Sequence, residues 1–195
     1  MALFVETNEQ LHLCELCCIN SLTATTRGNH MVEKIISGGQ TGADRAALDF
    51  ALARDIPHGG WCPRGRRAED GALQERYELQ ETPDAEYSQR TEWNVRDSDG
   101  TVIFSLAPEL TGGSRLTEEF AARHRKPCLH LSQQTHGATA VKRLRQFVQQ
   151  HHIRVLNVAG PRASNEAAVP RFVLETLEKL FKAPKSRRQE WDRYA

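Results

Sequence analysis

The chain has no long apolar run. Nowhere does it approach the roughly 18 to 20 consecutive apolar residues that a helical membrane span needs. It also has little net charge, +1 over 195 residues, so it offers no overall field to attract nucleic acid. Its first residues, Met1 to Glu9, carry acids and no basic segment, and no secretory signal is expected. The cysteines are few and odd in number, five in all. Cys14, Cys17 and Cys18 crowd together while Cys62 and Cys128 stand alone, which is not the pattern of a disulfide framework. A reducing cytoplasm is the expected setting. With His12 nearby, the Cys14–Cys18 cluster makes half a zinc site. A structural zinc site needs four ligands, often as two spaced pairs, and no second pair follows. No protein-bound metal is expected.

The standard nucleotide signatures are missing too. No GxGxxG and no Gly-Lys-Ser/Thr follows the first strand, which argues against an ordinary NAD site or P-loop. What is present, at residues 34–53, is a strand, a glycine loop and a helix. Ile35 and Ile36 end a short buried strand. Gly38, Gly39 and Gly42 punctuate a tight loop around Gln40 and Thr41. From Ala43 and Asp44 onward, Ala47, Leu48, Ala51 and Leu52 recur at helical spacing. This order aims backbone N–H groups and a helix N-terminus at an anion. The null alternative for Asp44 is an acid at a helix start that satisfies backbone N–H groups.

Two further loops repeat the arrangement. The uncharged strand Thr101 to Leu106 leads into Gly112-Gly113-Ser114, with Ser114 or Thr117 available to cap the helix that follows. The strand Arg154 to Ala159 leads into Gly160-Pro161-Arg162, with Ser164 or Asn165 as caps of the last helix. Strands alternating with helices imply parallel βαβ units joined by right-handed crossovers. Ligands of such open sheets bind outside the carboxyl ends of the strands, so the three loops are expected to share one pocket. Arg64, Arg66 and Arg67 lie in one loop beside Glu69 and Asp70; it is read as an anion-facing loop, over the alternative of a solvated loop whose arginines pair with those two acids. Residues 90–97 read as a helix lying on the sheet. Residues 1–30 read as an extension, 31–183 as the domain and 184–195 as a basic tail.

Five stretches in order carry a family resemblance: Gly38-Gly39-Gln40-Thr41-Gly42-Ala43-Asp44; Gly60-Trp61-Cys62-Pro63 through Arg67-Ala68-Glu69-Asp70-Gly71; Arg90-Thr91-Glu92-Trp93-Asn94-Val95; Ser98-Asp99-Gly100-Thr101; and Leu156-Asn157-Val158-Ala159-Gly160-Pro161-Arg162. They resemble the molybdenum cofactor carrier proteins over about residues 32–182. The resemblance implies a Rossmann-like α/β fold, an open and mainly parallel sheet with helices on both faces in three layers. It places the chain near the lysine-decarboxylase-like (LOG) superfamily and implies a homo-oligomer. It also implies a ligand like the molybdenum cofactor (molybdopterin), a pterin dithiolene bearing a phosphate, held through the glycine loops by Gly38, Gly39, Gln40, Thr41, Gly42, Asp44, Arg64, Gly112, Gly113, Ser114, Thr117, Gly160 and Arg162.

The wider superfamily includes nucleotide-ligand sensors and enzymes that cleave nucleoside monophosphates at the N-glycosidic bond with a PGGxGTxxE signature. In the matching stretch Thr111 stands for the Pro, Arg115 for the last Gly and Leu116 for the Thr, while Glu119 falls at the catalytic Glu. Those departures count against hydrolysis. A hydrolase here would rely on Glu119 and Asp44 as its carboxylates. The leading expectation is a binding protein.

Overall fold

A computed structural model describes residues 32–182. The expectations for residues 1–30, including the half zinc site, and for the tail 184–195 lie outside the described residues. The elements in order are β1 (Lys34–Ile36), α1 (Ala43–Ala53), β2 (His58–Cys62), β3 (Arg67–Ala68), β4 (Gly71–Ala72), β5 (Leu79–Glu81), α2 (Tyr87–Arg96), β6 (Gly100–Ser105), α3 (Gly112–Arg123), β7 (Cys128–Ser132), α4 (Gln133–His136), α5 (Ala140–Gln150), β8 (Val155–Ala159) and α6 (Val169–Phe181).

Six strands form one parallel sheet in the order β5-β2-β1-β8-β6-β7. From β1 the chain builds outward to β2 and β5, then starts again at β6 and β7. The last strand, β8, fills the gap between β1 and β6, pairing Ile35 with Leu156 and Thr101 with Asn157. The reversal of strand order therefore falls at β1, β8 and β6. In such sheets that is where a crevice opens at the carboxyl ends.

The fold is the Rossmann-like α/β sandwich expected from the sequence. On one face α1, α5 and α6 pack against the sheet around Ile35, Val102, Phe104 and Leu156, all fully buried. Phe104 meets Phe172 of α6 edge-on at 5.3 Å. On the other face α2 and α3 share Val95, Phe120 and Ala121. β6 is buried along its whole length, as an apolar strand flanked on both sides should be. The apolar stripes read from the sequence face inward, with Leu52, Leu116, Val141 and Leu180 only partly covered.

Several boundaries differ from expectation for physical reasons. The helix expected near residues 90–97 begins at Tyr87. α3 begins at Gly112, not beyond Ser114. Thr111 holds its N-cap position without a side-chain cap, and Thr117 donates its hydroxyl back to the Gly113 carbonyl. α6 starts at Val169 because residues 161–168 form turns, and the Ser164 hydroxyl is engaged by Glu69 rather than capping. The loop with three arginines is a β3–β4 hairpin, and β5 is a short edge strand that no periodicity announced.

Candidate functional site at the switch point

A cavity of about 430 Å³ opens at the carboxyl ends of β1, β8 and β6. That volume falls in the range of small-molecule sites. Gly38 and Gln40 line it from the β1–α1 loop, Gly112, Gly113 and Ser114 from the start of α3, and Gly160 and Arg162 from the β8–α6 loop. All three glycine loops reach it. Asp44 and Thr117 line it as well.

The interlocking of the first and third loops explains two of the glycines. Gly42 has φ +84, a left-handed value that suits glycine, and a Cβ there would lie 2.3 Å from the Pro161 carbonyl. That same carbonyl accepts the Ala43 N–H at 3.3 Å. Gly38 is needed for a different reason: a Cβ there would lie 1.6 Å from Arg90 Nη1.

Arg90 is the residue that sequence reasoning missed as a site member. Asn94 is what places it. Asn94 is buried in α2, accepts the Trp61 N–H at 2.9 Å and donates to the Trp61 carbonyl at 2.9 Å, pairing the helix with the backbone of β2. Trp93 meets Trp61 edge-on at 4.6 Å beside it. With α2 fixed in this way, Tyr87, Ser88, Arg90 and Thr91 line the cavity. Arg90 donates from Nη1 to Asp44 Oδ2 at 2.8 Å, and the two side chains are only 13% and 4% exposed. Burial pushes the Asp44 carboxyl up, against the opposing pull of Arg90. A polar face at i and i+4, Arg90 and Asn94, inside a helix lying on the sheet was the available signal.

Two buried side-chain atoms among the described residues have no partner, Gln40 Nε2 and Arg90 Nε. Both are donors, and both side chains belong to the cavity lining. The Gln40 amide is oriented by its other end, since Oε1 accepts the N–H groups of Thr41 at 3.0 Å and Glu69 at 2.8 Å. A buried donor left unmade costs about 1–3 kcal/mol. Beside them, α3 has no side-chain cap, and nothing lies within 4 Å of where a Cβ would sit on Gly112 or Gly113. Uncapped first-turn N–H groups are what a helix N-terminus offers an anion. Arg162 forms no ion pair among the described residues; its guanidinium lies over the Tyr87 ring at 4.7 Å.

Other expected members are not in the lining. Gly39 is tucked toward Leu73 and Leu79. The Thr41 hydroxyl donates to the Glu69 carboxylate. Arg64 is exposed and is not part of the cavity lining; its backbone N–H is given to the Asp84 carbonyl at 3.1 Å. Arg66 points inward instead, donating to the carbonyls of Leu73, Gln74, Tyr77 and Leu79 at 2.9–3.1 Å. The acids of the hairpin do not pair with its arginines either. Asp70 holds Arg45 through two bonds of 3.1 Å, and Glu69 holds Thr41 and Ser164. Glu119 lies outside the cavity, exposed and paired with Arg115 at 3.5 Å, because it sits on the far side of α3 from Gly113 and Thr117. Among the described residues no group of three or more His, Cys, Asp or Glu is placed to hold a metal ion.

A parallel three-layer α/β fold with a cavity where the strand order reverses defines a Rossmann-like protein with a candidate ligand site. The chain belongs to the circularly permutated YpsA SLOG family, whose model matches residues 35–181. It is similar to a protein from Syntrophus aciditrophicus SB described as a "Putative molybdenum carrier protein", at 49% identity and a TM-score of 0.73 over 78% of this chain and 96% of that one. No curated protein matches it. Among the described residues no helix is long and apolar enough to cross a membrane.

Proposed function

We propose that residues 31–183 form a binding domain for a phosphate-bearing heterocycle, either a phosphorylated pterin of the molybdenum cofactor type or a nucleotide. One observation carries the reading: the buried atoms without partners, Gln40 Nε2 and Arg90 Nε, are both donors, and both sit on residues that line the cavity entered by the uncapped N-terminus of α3. That donor set suits an oxyanion. Gly112, Gly113 and Ser114 would take the phosphate, and Arg162 would add the charge. The similarity to a protein named as a molybdenum carrier supports the pterin as one candidate. The donors fit the phosphate and pterin portions of that cofactor. The dithiolene and its metal would be carried by the ligand, with no protein thiolate or imidazole cluster among the described residues to take them. The chain's own residues would bind, orient and shield it.

The binding reading is favoured over nucleotide hydrolysis by the two candidate carboxylates. Glu119 is exposed and away from the cavity, and Asp44 is tied to Arg90. A homo-oligomer is part of the proposal and is read out by sedimentation. Native mass spectrometry of the protein purified from its own host, followed by calorimetry with molybdenum cofactor and with AMP, tests the function. A stoichiometric phosphate-bearing passenger and saturable binding are expected. Protein that arrives empty and binds neither compound overturns the reading.

A further inference from the structure

The Arg90 guanidinium is used far below its capacity. It has five N–H donors, yet among the described residues its side chain makes a single hydrogen bond, from Nη1 to Asp44, and its buried Nε has no partner. It lies against the bare backbone of Gly38, on the wall of the cavity, with the Tyr87 ring 6.0 Å away. A structural arginine in this same protein behaves otherwise: Arg66 gives four bonds to four carbonyls.

We propose that Arg90 is an anion receptor held in check by Asp44, and that a ligand oxyanion displaces Asp44 from the guanidinium while the abandoned carboxylate takes up one proton from solvent. This rests on the phosphate-ligand reading above and names how the same site is regulated. A guanidinium with open donors prefers a two-pronged oxyanion to a one-pronged carboxylate. Once that exchange occurs, Asp44 is a buried carboxylate with little left to neutralise it. Arg45, on the next position of α1, is already held by Asp70 through two bonds. From the loop before α1 only the Gln40 backbone bears on Asp44. Of the other groups lining the cavity, Arg162 and Glu166 come from the β8–α6 loop and Tyr87 from α2, while α3 and β8 contribute the uncharged Ser114, Thr117 and Asn157. Glu166 is occupied by the Leu106 N–H at 2.5 Å. A buried carboxylate without its cation is neutralised by protonation. Burial already pushes the Asp44 carboxyl up with Arg90 in place, and loss of Arg90 pushes it further.

The balance is simple. One ion pair is replaced by another, one O–H bond forms at Asp44, and no covalent bond of the ligand changes. The consequence is that ligand binding is linked to proton uptake and weakens as pH rises.

AMP is the probe. At about pH 8 its phosphate is already the dianion, so it takes up no proton of its own. Calorimetry in two buffers of different ionisation enthalpy is expected to give close to one proton taken up per AMP bound. The affinity is expected to fall by up to about tenfold per pH unit above that point. Asp44→Asn, confirmed folded by its melting curve, is expected to abolish the uptake and flatten the pH profile. Wild-type protein that binds AMP with no proton uptake overturns the exchange and leaves the binding function standing. An unchanged pH slope in Asp44→Asn also overturns it. Absence of AMP binding at any pH, for a protein that also fails with molybdenum cofactor, removes the binding function and this exchange together.

Discussion

The Glu69 carboxylate accepts the Ser164 hydroxyl at 2.7 Å and the Thr41 hydroxyl on its other oxygen. It therefore ties the β3–β4 hairpin to the first and third glycine loops at once, and these two loops form adjoining walls of the cavity. The hydrogen bonds from Thr41 and then Ser164 hold the Glu69 carboxyl below its usual value. A depressed carboxyl contributes stability that is present above its unfolded value and lost as pH falls through the folded one. Glu69→Ala should speed amide hydrogen exchange at residues 41–43 and 162–165 at neutral pH. Because Glu69 is exposed, the fall in melting temperature should stay below about 2 °C. The wild-type protein should show the same loss of protection, measured against the intrinsic exchange rate at each pH, in acid below the ordinary carboxylate range. Unchanged exchange in the variant would remove the tie.

Gly38→Ala tests the packing of Arg90. The added Cβ would meet Arg90 Nη1 at 1.6 Å and Asp44 Oδ2 at 2.9 Å. The buried pair cannot stay where it is. Overpacking of this kind costs about 1–3 kcal/mol, measurable by urea unfolding. The same substitution should weaken AMP binding. A variant as stable as the parent would mean that the guanidinium has room the structure does not show.

How much of this was legible from residues alone follows the range of the interactions. The glycine loops could be read because each is a local device: strand, turn and helix lie within a few residues. Their shared pocket could be read because parallel crossovers bring every such loop to one edge. Arg90 could not be placed that way. It is 46 residues from Asp44 in sequence, and its position depends on Asn94 gripping the backbone of Trp61, a tertiary contact without a sequence period. The arginine loop shows the limit of local composition. Three arginines among glycines look like an anion loop, but Arg64 lies in solvent outside the cavity lining and the half-buried Arg66 spends its guanidinium on four carbonyls. Glu119 matched by count to a catalytic position, yet helical phase puts it on the outer side of α3.

Arg162 and Glu119 make a paired test of where the ligand sits. Arg162 lines the cavity, lies over the Tyr87 ring and has no ion pair to lose among the described residues. Glu119 is exposed and away from the cavity. A charge-assisted hydrogen bond to a ligand contributes about 1.5–3 kcal/mol, so Arg162→Ala should weaken AMP binding by about tenfold or more. Its unfolding midpoint should hardly move. Glu119→Gln should leave both quantities unchanged. A reversed pattern, with Glu119 sensitive and Arg162 silent, would return the hydrolase reading to the front, and release of adenine from AMP would then be the assay.

The Cys128 thiol, on the β7 edge beneath α3, is pushed up to about 12 by burial, with the Glu118 charge acting in the same direction. The thiolate is the reactive form, so folded Cys128 should resist alkylation at about pH 9, where an ordinary thiol reacts readily. Its labelling by iodoacetamide, followed by peptide mass spectrometry, should be slow in the native protein and rise with urea. The sign of the stability effect follows from the raised value. The half-buried thiol contributes stability that is whole below its ordinary value of 9.0 and is lost as pH climbs from there toward 12. Alkaline unfolding should therefore begin above about pH 9 and be delayed in Cys128→Ala relative to its own neutral stability. Rapid labelling of Cys128 in the native protein at about pH 9 would show that the thiol is neither buried nor shifted.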